Sequence, residues 1–174
     1  MASIINASTS SGLVATSDNS GNIQLQWNGV AAPAFSAYIA SSNQNVTAGV
    51  WTKAQLNTED FDTASCFDST TNYRFTPTVA GYYQINGSIA PDSTSAFGNG
   101  LLVAIYKNGS LYRIGSSYNT ASLLVSTPTV AAVIYLNGST DYIELYGQFI
   151  GGTGMQFSVN NKSTSLSGCL LRGA

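Results

Sequence analysis

The feature that most constrains this chain is the absence of any helical period: from Phe35 onward, short apolar and aromatic runs follow one another, each stopped by turn residues. Strand-like runs occupy residues 34–40, 49–56, 72–76, 81–89, 101–107, 110–114, 130–136, 141–149 and 166–171. Lys107-Asn108-Gly109-Ser110 and Leu136-Asn137-Gly138-Ser139 read as tight hairpins, because Asn-Gly supplies the positive φ angles such turns need. Asn86-Gly87 falls inside a run and reads as a bulge rather than a turn, and residues 151–154 (GGTG) read as a flexible loop. Many short strands joined by polar turns predict an all-β, antiparallel sandwich or barrel.

Periodicity within the runs carries further. Residues 141–149 alternate, with Ile143, Leu145 and Phe149 on one face and Tyr142, Glu144, Tyr146 and Gln148 on the other, as a strand with one core face should. Residues 101–106 (LLVAIY) and 130–136 (VAAVIYL) are instead apolar on both faces. An antiparallel strand of that kind needs a second cover. Another copy of the chain is the expected cover, which makes Tyr106, Val133, Tyr135, Tyr142 and Tyr146 the candidate subunit-interface residues. The alternative is that these are central strands lying under the chain's own loops.

Composition narrows the function. Charged residues make up 8% of the 174, the net charge is −2, and histidine is absent. Without a basic field there is nothing to neutralise phosphates, so neither nucleic acid nor an anionic membrane surface is expected as a partner. Without histidine the commonest general base and metal ligand are missing, and no nucleophile has a recognisable base, so no catalytic residues and no enzyme activity are expected. The longest apolar run, residues 130–136, is far short of a bilayer span, and residues 1–6 lack the pattern of a secretory signal. Synthesis in a cytosol is expected, with Cys66 and Cys169 as separate thiols.

Residues 1–32 differ from the rest. They are small and hydroxylated, with a turn at Asp18-Asn19-Ser20-Gly21-Asn22 before the alternating Ile23-Gln24-Leu25-Gln26-Trp27. They read as an extended arm, and residues 33–174 as the folded domain. Pro33 marks the junction, since it cannot donate to a ladder.

Five pieces of the chain, in order, resemble the globular head family of the complement type (the q subcomponent of the first complement component), relatives of the tumour necrosis factor jelly roll. They are residues 34–37 (AFSA), 75–85 (FTPTVAGYYQI), 106–109 (YKNG), 136–138 with 141–145 (LNG and DYIEL), and 167–171 (SGCLL). The resemblance covers residues 34–171. It implies a jelly-roll sandwich of about ten strands that assembles as a homotrimer around an apolar threefold axis. Cys169 stands where the family has an aromatic residue, two residues separate Gly138 from Asp141, and no collagen-like repeat is present, so the family's immune roles are not implied. The arm resembles the leaders of structural proteins on tailed-bacteriophage particles.

Two pieces of chemistry stand apart from this frame. Glu59, Asp60, Asp62 and Asp68 form an acidic stretch, expected to be a solvated loop, with Ca²⁺ as the alternative occupant; no metal or other cofactor is otherwise expected. Trp51, Phe97, Tyr112 and Tyr118 lie near loops, where packing is the first explanation and sugar stacking or protein contact the second. The expected function is that of a virion surface protein: a trimeric decoration knob of the cement or head-fibre type, assembled in the host cytoplasm. Ile4, Ile5, Leu13, Val14, Ile23, Leu25 and Trp27 of the arm are expected to anchor it to a capsid or other virion protein. The alternative is a tail-fibre or receptor-binding tip that recognises a host surface glycan or protein.

Overall fold

The computed structural model describes residues 32–92, 96–115 and 127–174, with the side chains of 96–99 left aside. The described residues form thirteen strands and one 3-10 turn at Asn160–Lys162. One sheet has five strands in the order β10 (Thr129–Asn137), β7 (Ala80–Ser88), β13 (Ser165–Gly173), β1 (Ala34–Tyr38) and β4 (Thr58–Asp62). The other runs β5 (Phe67–Asp68), β6 (Arg74–Phe75), β11 (Ile143–Thr153), β8 (Ala96–Lys107) and β9 (Ser110–Ile114), with β3 (Thr52–Lys53) also paired to β11. A small ladder joins β2 (Gln44–Asn45) to β12 (Gln156–Phe157). Every pairing is antiparallel and most join strands distant in sequence, which is the jelly-roll arrangement.

The core lies between the two sheets. Inward residues of β7 (Tyr83, Ile85) and β10 (Val130, Ala132, Ile134, Leu136) meet those of β8 (Leu101, Val103, Ile105) and β11 (Ile143, Leu145, Phe149), all buried. Phe35 stacks on Phe75 at 4.2 Å and on Phe67 at 5.2 Å, and Tyr83 meets Phe75 edge-on at 5.6 Å. The Tyr83 hydroxyl donates to the Val79 carbonyl at 2.7 Å, and burial pushes its ionisation upward.

Four local expectations are corrected. Asn86 and Gly87 form neither bulge nor turn: both keep regular register with β10 and β13. The glycine is needed because a Cβ there would meet Leu145 Cδ1 at 2.6 Å. Asn137-Gly138 does not close a hairpin, since β10 and β11 belong to different sheets. The Asn137 side-chain oxygen instead accepts the backbone N–H groups of Ser139, Thr140 and Asp141, turning the chain from one sheet to the other. Residues 151–153 extend β11 across a register shift. The stretch 58–62, read as loop, is edge strand β4 against β1. By contrast Asn108 (φ 52°) and Gly109 (φ 74°) make the tight β8–β9 hairpin as the Asn-Gly pair predicts.

Register fixes which features share an end. Ala34 lies opposite Cys169, Gly81 opposite Gly173 and Ala80 opposite Asn137, so the arm junction sits at that end. Tyr38, Ser88, Thr129 and Ser165 mark the other.

Candidate functional site

Outward positions of the first sheet carry an apolar patch. β10 alternates strictly: its inward set is buried while Val133 and Tyr135 are 50% and 42% exposed. Tyr82 of β7 sits directly across from Tyr135, with ring centroids 5.5 Å apart. Leu171, bulged out of β13 between the pairs Leu170–Tyr83 and Arg172–Tyr82, is the most exposed large apolar side chain among the described residues at 56%. The rim is polar. Lys107 donates to the Tyr135 carbonyl at 2.8 Å, stands over its ring at 5.9 Å and pairs with Asp141 at 2.9 Å. Hydrogen bonds from Asn108 and Lys107 hold the Asp141 carboxyl below its ordinary range.

The patch continues toward the sandwich wall. Among the described residues β9 is an edge strand exposed along its whole length, with Leu111, Tyr112 and Ile114 uncovered. The close approach of Gly115 to Thr129 and Val130 brings its end beside β10. A bare edge with apolar side chains on both faces invites pairing or packing by another chain.

The second sheet's outward face is arranged differently. Tyr106 and Tyr146 stack at 3.9 Å, Trp51 leans on Tyr106 at 6.1 Å, and Arg74 stands over Tyr142 at 4.4 Å. Lys53 reaches into the group, donating to Glu144 at 3.0 Å and to the Asn72 carbonyl at 2.9 Å. Ala104 beneath is fully buried. Burial, with the Glu144 carboxylate second, pushes the Tyr146 hydroxyl up to about 12. On the outward face of residues 101–106, Tyr106 is therefore packed by the chain's own segment around Trp51 and Lys53. Of the five candidate interface residues, the fold brings Val133 and Tyr135 together on one face and Tyr106, Tyr142 and Tyr146 together on the opposite one.

The acidic residues do not converge. Asp68 accepts the backbone N–H groups of Thr70, Thr71 and Asn72, which holds its carboxyl far below the usual range. Asp62 caps Ala64 and Phe67, and Asp60 pairs with Lys162. Among the described residues no three acidic or cysteine side chains gather as a metal would require. Cys66 is buried, Cys169 exposed, and both are free thiols. No helix among the described residues is long and apolar enough to cross a membrane. Tyr112 is exposed and Trp51 is packed as above; the side chains of Phe97 and Tyr118 and the seven anchoring candidates, Ile4 to Trp27, lie outside the described residues.

Sequence reasoning passed over Tyr82, Leu171, Leu111 and Ile114. For Tyr82 the signal was available: in residues 81–85 the inward set is Tyr83 and Ile85, which leaves a tyrosine on the face that should be polar. For Leu171 it was not, because the bulge that turns it out follows from pairing.

The fold has well-defined relatives. The chain is similar to the globular domain of zebrafish complement 1qA (TM-score 0.59, 16% identity, 82% of this chain and 99% of that one). It is similar to the Eiger TNF of S. frugiperda (0.60, 10%, 82% and 93%) and to the PRD1 vertex protein P5 (0.59, 16%, 80% and 97%). No sequence-family profile and no curated protein matches. The class is thus an antiparallel jelly roll of the complement-head and tumour necrosis factor kind, a likeness of fold.

Proposed function

We propose that this chain is a structural protein of a bacteriophage virion surface: a trimeric jelly-roll knob of the decoration type, docked on the capsid by its N-terminal arm, residues 1–32. The observation that carries the reading is the apolar outer face made by Tyr82, Val133, Tyr135 and Leu171 beside the bare β9 edge. Face and edge are different surfaces, so a copy that seats its edge on a neighbour's face makes a head-to-tail contact, the kind that forms a ring when the rotation between copies closes. Val133 and Tyr135 belong to that contact, while the Tyr106, Tyr142 and Tyr146 group already has its cover within the chain. The fold likeness to complement and tumour necrosis factor heads supports the trimer, and the likeness to a vertex protein supports the virion setting.

The arm residues Ile4, Ile5, Leu13, Val14, Ile23, Leu25 and Trp27 supply the attachment, three arms per trimer giving avidity from individually weak contacts. The test has two parts. Native mass measurement of the full chain should give three 18.2 kDa subunits, about 55 kDa. Empty particles should retain the full chain and release residues 33–174. A folded monomer with no particle association would overturn the reading. The alternative, a receptor-binding tip, is favoured by one observation, a polar cavity at the end of the sandwich away from the arm junction.

A further inference from the structure

That cavity, of about 250 Å³, opens where β1 gives way to the following loop and is lined by Asn43, Gln44, Asn45, Gln55 and Asn57 around the buried Ile39. Its side-chain amides are held in fixed orientations. Gln44 accepts the Gln55 N–H at 2.8 Å and donates to the Lys53 carbonyl at 2.8 Å. Asn43 accepts the Val159 N–H at 3.0 Å and donates to Gln156, and Asn57 accepts the Ala40 N–H at 2.9 Å and donates to Ser41. The Asn43 and Gln44 amides each keep a second N–H and a second lone pair, while the Asn57 oxygen also accepts the Thr58 hydroxyl and keeps only its second N–H. Asn45 uses only its oxygen, accepting from Gln156 at 2.6 Å, so both of its N–H donors have no partner among the described residues.

We propose that this cavity binds a neutral saccharide ring. No ionisable side chain lines it: Lys53 contributes its carbonyl to Gln44 while its ammonium is drawn off to Glu144. A charged ligand would lose hydration there without meeting a countercharge. A sugar hydroxyl both donates and accepts, which matches amides whose donor and acceptor ends are already fixed, and that preorganisation lowers the ordering cost of binding. Ile39, buried beneath these amides, closes the floor of the cavity. Chain direction adds the placement, since β1 leaves the arm junction at Ala34 and runs to Tyr38, one residue before Ile39. A knob held by its arm would present this cavity outward.

The inference deepens the receptor-tip reading but is read on the isolated protein, so its failure leaves the particle-association test untouched. The full chain, ¹⁵N-labelled, is titrated with glucose, galactose, N-acetylglucosamine and N-acetylgalactosamine, with glucuronate as the charged control. Saturable shifts of the Asn43, Gln44 and Asn45 side-chain amides by at least one neutral sugar are expected, with a Kd of about 1–10 mM. Asn45→Ala, at an exposed position, should weaken that binding about tenfold with the fold intact. Silence of these amides to all four sugars, equal affinity for glucuronate, or an unaffected Asn45→Ala variant would overturn the proposal.

Discussion

Gly87 shows how closely the two sheets approach. Its backbone is ordinary extended strand, yet an added methyl would press on Leu145 Cδ1 and approach Leu166 and Val130 at 3.2 and 3.3 Å. Gly87→Ala should therefore lower stability by about 1–3 kcal/mol through overpacking, seen as a fall in the urea midpoint with an unchanged slope. Charge acts at this scale too. Asp141 and Asp68 are both held below their ordinary ionisation range, so the stability they contribute is present above the unfolded carboxylate value and fades as pH falls toward the folded ones. Melting temperature should decline as the solution is acidified below about pH 4, and Asp141→Asn together with Asp68→Asn should flatten that decline. Tyr146 has the opposite sign: its raised value contributes stability below the unfolded tyrosine range that is lost as pH climbs toward 12, and absorbance titration should find it ionising late, together with the buried Tyr83 and with Tyr106, which are shifted the same way.

Among the elements, β10 and β8 look alike in sequence and end in different surroundings. Tyr135→Glu or Val133→Glu on β10 should shift the native mass from three copies to one while leaving the far-ultraviolet spectrum unchanged. Tyr106→Ala on β8 removes the ring between Trp51 and Tyr146 and should lower stability by about 2–4 kcal/mol without changing the number of copies. The long strands β7, β8, β10, β11 and β13 were legible because their period or apolar run extends over many residues. The two-residue strands β2, β5 and β12 were not, since pairs such as Gln44–Asn45 have no period and exist only through their partners. β4 was hidden by its acidic residues, which on an edge strand serve to discourage further pairing. The surroundings of the candidate interface residues were not readable for a related reason: alternation tells that a side chain faces outward but not what folds over it, and only the three-dimensional path of Val50 to Lys53 distinguishes the packed Tyr106 from the open Tyr135.

For the whole molecule, arm and knob separate cleanly in what they are expected to do. Residues 33–174 alone should keep the full chain's copy number and melting behaviour, measured by native mass and calorimetry, while losing retention on empty particles. A knob that fell apart without its arm would move the assembly contacts out of the sandwich and into the first 32 residues.

The last strand ends beside the first. Leu170 donates to the Pro33 carbonyl and the Ala174 N–H reaches Ala80, so a peptide fused after Ala174 emerges alongside the junction with the arm. Under the docking proposed for residues 1–32, cargo attached by that route would be pressed against the docked partner. A displayed epitope meant for solvent belongs instead in the connections at the far rim, near Thr129 and Ser165, where a graft would point away from the end at which Pro33 and Ala174 lie.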